Sequence, residues 1–122
     1  MSKATEQLVK RLTRKGTSTR RAIRKVTKIL SELAPPEDDL AVRVHIVRGL
    51  PKDRLGDCCK QKDRYLIRLC ADVVDQQPDA VWMLLAHEWA HALTWHHSDK
   101  NHGDSWGVAL AKTWRIITGE LE

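Results

Sequence analysis

A chain of 122 residues holds one domain with a modest core and excludes two. Hydrophobic residues at 42% and charged residues at 30% are those of an ordinary globular protein, and the longest apolar run, Ala80 to Ala86, is too short to cross a bilayer. The net charge of +5 is unevenly spread, because Lys3, Lys10, Arg11, Arg14, Lys15, Arg20, Arg21, Arg24, Lys25 and Lys28 crowd the first quarter.

Such clustering favours a polyanionic partner such as DNA, through counterion release; a solvated basic helix face is the plainer alternative. No aromatic residue interleaves these charges, so stacking on single-stranded bases has no support. No charged-then-apolar leader opens the chain, and a cytoplasmic location without membrane contact is expected. Cys58, Cys59 and Cys70 form no framework spacing and no CxxC, and are expected to stay reduced.

In chain order, residues 1–16 read as a basic arm ending at Gly16, and residues 17–122 as the folded domain. From Thr19 to Leu33, Ile23, Val26, Leu30 and Leu33 recur at helical spacing, with Thr17 or Ser18 as cap and Pro35-Pro36 as stop. Ala41–Val47 alternates as a half-buried strand, with Val42, Val44 and Ile46 on one face. Asp57–Lys60 and Tyr65–Leu69 flank a polar turn and predict a hairpin, with Tyr65, Ile67 and Leu69 facing one way. A second helix is expected from Pro78 through Trp95, apolar on nearly every side and so enclosed by its neighbours. After a polar loop, a last helix runs from about Ser105 to Thr118. Trp106, Leu110, Trp114 and Ile117 form its stripe, and Gly119 is its stop. The expected class is α+β: a small three-stranded antiparallel sheet packed with an N-terminal, a central and a C-terminal helix. Five tryptophans without phenylalanine make tryptophan the aromatic core residue.

Within the enclosed helix stand His87, Glu88 and His91, ionisable groups that cost several kcal/mol there unless paired, roughly 2–7 for an unbonded polar group. His87 and His91 are four residues apart, so both imidazoles leave one face within reach of a shared ion. Glu88 is about 100° further round, off the ligand line and placed to take a proton from the ion's water. Three protein ligands and one water are the pattern of catalytic zinc, and imidazole without nearby thiolate favours that metal. For the third ligand, His97 lacks the glycine that would swing it inward, because Thr94 stands there. Glu120 lies past Gly119. His102, after a reversing loop and beside Gly103, is better placed.

The run His87-Glu88-Trp89-Ala90-His91-Ala92, followed by His102-Gly103-Asp104-Ser105-Trp106, resembles the SprT-like zinc metallopeptidases, whose HExxH is followed by an HGxxF or HGxxW element. Upstream, a leading helix, a strand at Val42–Val47, Gly56-Asp57-Cys58 and Ile67-Arg68-Leu69 are similar in order, and the likeness spans roughly residues 18–118. It implies His102 as third zinc ligand, a compact α+β peptidase core, peptide or protein substrates and, as in larger members, proteins bound to DNA.

The mechanism expected is zinc held by His87, His91 and His102, with Glu88 as the acid–base residue. His96, His97 and Tyr65 are candidates for oxyanion stabilisation, and Trp106 is expected beneath the site. An extended substrate is expected to add to the sheet edge. Two rival readings are a nucleic-acid-binding module with a structural zinc and an inactive metallopeptidase fold used for binding.

Overall fold

The computed structural model describes residues 18–99 and 101–119. The arm expected at 1–16 and Glu120 lie outside the described residues.

Helix α1 spans Thr19–Leu33, as its periodicity predicts. The Ser18 hydroxyl caps it by accepting from the Arg21 N–H at 3.2 Å. Ala22, Ile23, Val26 and Leu30 are buried, while Leu33 is 53% exposed. The helix ends there, and Ala34 takes the core position instead.

Three strands follow: β1 (Ala41–Val47), β2 (Gly56–Lys60) and β3 (Arg64–Cys70). The β2–β3 pair is the expected antiparallel hairpin, its turn closed by the Gln61 N–H on the Arg64 carbonyl at 2.7 Å. The sheet as a whole is mixed, not antiparallel throughout. Its order is β1-β3-β2, and β1 runs parallel to β3, with Val42 opposite Tyr65 and Val44 opposite Ile67. Side-chain alternation fixes which face a strand buries and says nothing of its direction. The segment between β1 and β2 carries the chain to the far edge, leaving β3 in the centre. Central position explains why Tyr65, Ile67 and Leu69 are fully buried.

Helix α2, Ala71–Gln76, follows β3 directly and buries Val73 and Val74; its six residues are too few for a helical period to show. Helix α3, Val81–Leu93, is shorter than expected at both ends. Val81, Trp82, Leu85, Ala86, Trp89, Ala90 and Ala92 are buried around it, between α1, the sheet and the last helix. The Trp89 indole N–H donates to the Ala34 carbonyl at 2.9 Å and ties α3 to the end of α1.

Helix α4 spans Asp104–Thr118 and stops at Gly119, whose φ of 76° is left-handed. Its buried set is Ala109, Thr113, Ile116 and Ile117, about one residue round from the expected stripe; Leu110 and Trp114 pack half-buried at the core's margin. Trp82 and Trp89 are fully buried and Trp95 and Trp114 flank the core, so tryptophan carries the aromatic interior. All three cysteines are free. No helix among the described residues is long and apolar enough to cross a membrane.

Candidate metal centre

Helix α3 brings His87, Glu88 and His91 to one end of a cleft, and the turn before α4 brings His102 to meet them. The Nε2 atoms of His87 and His91 are 3.3 Å apart, those of His102 and His87 3.3 Å, and those of His102 and His91 3.1 Å. A neutral imidazole carries one N–H, so three ring nitrogens this close cannot all be satisfied by one another. A tetrahedral ion with metal–nitrogen bonds of about 2.0–2.1 Å sets its ligands roughly 3.3–3.4 Å apart. The observed triangle fits such an ion, and these three are the group among the described residues able to hold a metal.

The turn that delivers His102 is tightly specified. His102 adopts φ 67°, the left-handed region that non-glycine residues rarely enter. The Asp99 carbonyl accepts the Gly103 N–H at 2.9 Å, and the Asp99 carboxylate accepts both the backbone N–H of Ser105, at 2.9 Å, and its hydroxyl. Those bonds draw the Asp99 carboxyl below its usual range. Gly103 is required by proximity, because a Cβ there would stand 2.5 Å from the Asp99 carbonyl oxygen. Trp106 closes the arrangement from within α4, its ring centroid 4.6 Å from His102 and 5.0 Å from His87.

Glu88 is 5% exposed. Burial, with the negative charge of Asp57, pushes its carboxyl up to about 7, while Arg54 pulls the other way. Burial also lowers the His87 imidazole, with His102 adding to the effect. Both shifts suit their chemistry: a neutral imidazole is the ligating form, and a carboxyl near 7 exchanges protons at neutral pH. The cleft of about 530 Å³ is lined further by Arg54, Asp57, Cys58, Trp95 and Asn101. Asp57 is held by the Arg68 guanidinium, Nε donating to Oδ1 at 2.9 Å and a second bond formed by Nη2. Burial first, then the neighbouring Glu88 charge, pushes the Cys58 thiol up to about 12, which keeps it a thiol and a poor ligand.

The other candidates from the sequence lie elsewhere. His97 pairs its Nε2 with Glu37 at 2.7 Å. His96 pairs with Asp38 at 3.1 Å, and the buried Tyr65 hydroxyl donates to the same carboxylate oxygen at 2.7 Å. Burial and then Asp38 push the Tyr65 phenol upward, so it remains a donor. These contacts fasten the segment after α1 to the end of α3 and do not line the cleft. Arg54, Trp95 and Asn101 were not anticipated as cleft residues; Arg54 and Asn101 sit in irregular segments where no periodicity marks a direction.

No curated protein and no solved structure matches the chain. A sequence profile of the SprT-like family matches residues 8–118, which takes in every element described and all four residues of the cluster, and the chain therefore belongs to the SprT-like family.

Proposed function

We propose that this protein is a zinc-dependent metallopeptidase, with His87, His91 and His102 as metal ligands and Glu88 as the acid–base residue. The observation that carries the reading is the triangle of three imidazole nitrogens, 3.1–3.3 Å on each side, beside a buried glutamate. Among the described residues no fourth side chain joins the group, which leaves one position of a tetrahedral ion for water or substrate and favours a catalytic over a structural metal. Family membership supports the same reading.

A zinc ion held there would polarise the scissile carbonyl and lower the pKa of the attacking water. Glu88 accepts the proton of that water and returns it to the leaving amine. Arg54 and Asn101 line the cleft with N–H groups able to face the developing oxyanion. Among the described residues strand β2 pairs only with β3, and its residues Asp57 and Cys58 line the cleft. Its outer edge is therefore open to an extended peptide alongside the site.

DNA is the favoured polyanionic partner, since Arg20, Arg21, Arg24, Lys25 and Lys28 are all exposed on α1. The free cysteines agree with a cytoplasmic setting. The deciding experiment measures zinc per chain and cleavage of an unfolded protein substrate. The expected outcome is one zinc and turnover in the wild type, with zinc kept and turnover abolished in Glu88→Gln. Unchanged turnover in that variant overturns the mechanism, and absence of zinc uptake overturns the whole reading.

A further inference from the structure

Beyond Arg54 and Glu88 the cleft opens into a second cavity of about 510 Å³, shared with it through Arg54, Gly56, His87 and Glu88. Its own walls are Leu55, Ala80, Met83 and Leu84. Met83 stands four residues before His87, and Leu84 four before Glu88, so each lies one turn below its functional neighbour on the same helix face. The turn of α3 preceding the metal residues is thus an apolar continuation of them. Leu55 completes the wall from the segment before β2, its carbonyl pinned by the Cys70 N–H at 2.8 Å. Gly56 permits the closeness, since a Cβ there would meet Leu84 Cδ1 at 3.0 Å and the Arg68 carbonyl at 3.1 Å. Leu55 and Met83 remain 58% and 45% exposed, two large apolar side chains facing one hollow beside an ionisable cluster.

We infer that this cavity receives the side chain of the substrate residue that supplies the amine of the cut bond, and that it selects large aliphatic side chains such as leucine or methionine. The inference rests on the peptidase reading above. Glu88 returns its proton to the leaving amine, so the amine side of the bond lies towards Glu88. The cavity borders Glu88 and His87, whereas His91 and His102 border only the main cleft. An apolar side chain placed there loses its contact with water against Leu55, Met83 and Leu84. Arg54 at the mouth disfavours lysine and arginine by like charge.

The test uses the zinc-loaded protein and peptides that differ only in the residue after the cut. Leucine or methionine should exceed alanine by about tenfold or more in kcat/KM, the discrimination usual for a small apolar pocket, and lysine should be poorest. The double variant Leu55→Ser, Met83→Ser should lose about tenfold on the leucine peptide, with its zinc content serving as the control for folding. In parallel, binding of the leucine and alanine peptides to zinc-loaded Glu88→Gln should show the same ranking without turnover. Equal rates and equal binding, or a preference on the carbonyl side of the cut, overturn the inference. So does a double variant that alters self-association while keeping the wild-type ranking, since the surface would then join two copies of the chain. If no peptide is cut but Glu88→Gln still ranks leucine above alanine, the peptidase reading fails and the cavity's selectivity stands.

Discussion

Asp99 holds Ser105 twice, through its backbone N–H at 2.9 Å and through its hydroxyl, and the turn between them carries His102 into the cluster. Two of the three histidines are fixed by a helix, but the third depends on this clasp. Asp99→Ala should therefore lower zinc affinity about 10- to 100-fold, the usual cost of losing a group that orients a ligand. Gly103→Ala should do the same, because its methyl carbon would collide with the Asp99 carbonyl oxygen at 2.5 Å. Competition against a chelating dye measures both, and wild-type affinity in both variants would show that His102 needs no clasp.

Zinc should also stabilise the fold, since the proposed site is made of α3 and the turn before α4 together. At a thousandfold excess over its dissociation constant the gain is about 4 kcal/mol. Thermal melts should show Tm falling on chelation and recovering with zinc in the wild type, and no such response in His102→Ala. A His97→Ala variant should keep the response, because His97 is engaged with Glu37.

The pH dependence of the metal-free protein follows from Glu88. Its carboxyl is raised to about 7 by burial and by Asp57, so the fold favours the protonated form. The penalty for ionising it begins near the unfolded value of roughly 4.3 and is complete above about 7, where it amounts to on the order of 3–4 kcal/mol. Replacing Glu88 with glutamine removes that penalty. Glu88→Gln should thus raise the Tm of the metal-free protein at pH 8 and leave it nearly unchanged at pH 4. Equal effects at both pH values would mean that Glu88 is not desolvated.

Much of this arrangement was legible in the sequence, for physical reasons that differ from one element to the next. Helix α1 and the pair His87 and His91 declare themselves through the 3.6-residue period, and Tyr65, Ile67 and Leu69 through the two-residue period of a strand. The direction of β1 does not, because alternation is the same for parallel and antiparallel neighbours. The rotation of α4 escaped because its small buried residues, Ala109 and Thr113, carry a weaker apolar signal than Trp106 and Leu110. The glycine beside His102 marks a turn in the sequence, yet the clasp that brings His102 to His87 and His91, Asp99 on Ser105, spans a loop without any period. Alternation puts Tyr65 on the buried face, but its hydroxyl is committed to Asp38, a partner 27 residues away.

Trp89 offers a test of the packing that holds α3 in place. Its indole N–H reaches the Ala34 carbonyl at 2.9 Å inside the core. Trp89→Phe removes the donor, strands a buried carbonyl and leaves some empty volume, at a cost of about 2–4 kcal/mol. Urea denaturation at constant zinc should show the midpoint falling with little change in slope. A loss below about 0.5 kcal/mol would mean that water replaces the indole at Ala34.

The residue facing the oxyanion separates what the sequence suggested from what the cleft contains. His96, His97 and Tyr65 are bound to Asp38 and Glu37, and freeing them would cost those contacts. Arg54 borders both the cleft and the apolar cavity and lies close enough to act on the Glu88 carboxyl. A guanidinium donor facing developing negative charge is worth about 10²- to 10³-fold in kcat. Arg54→Ala should lower kcat by that order while zinc content is kept, with KM changing far less. His96→Ala should stay within about threefold of wild type, because its ring is spent on Asp38. If the two variants exchange these outcomes, the segment after α1 must release His96 during catalysis, and the contact with Asp38 would then be a resting state of the enzyme.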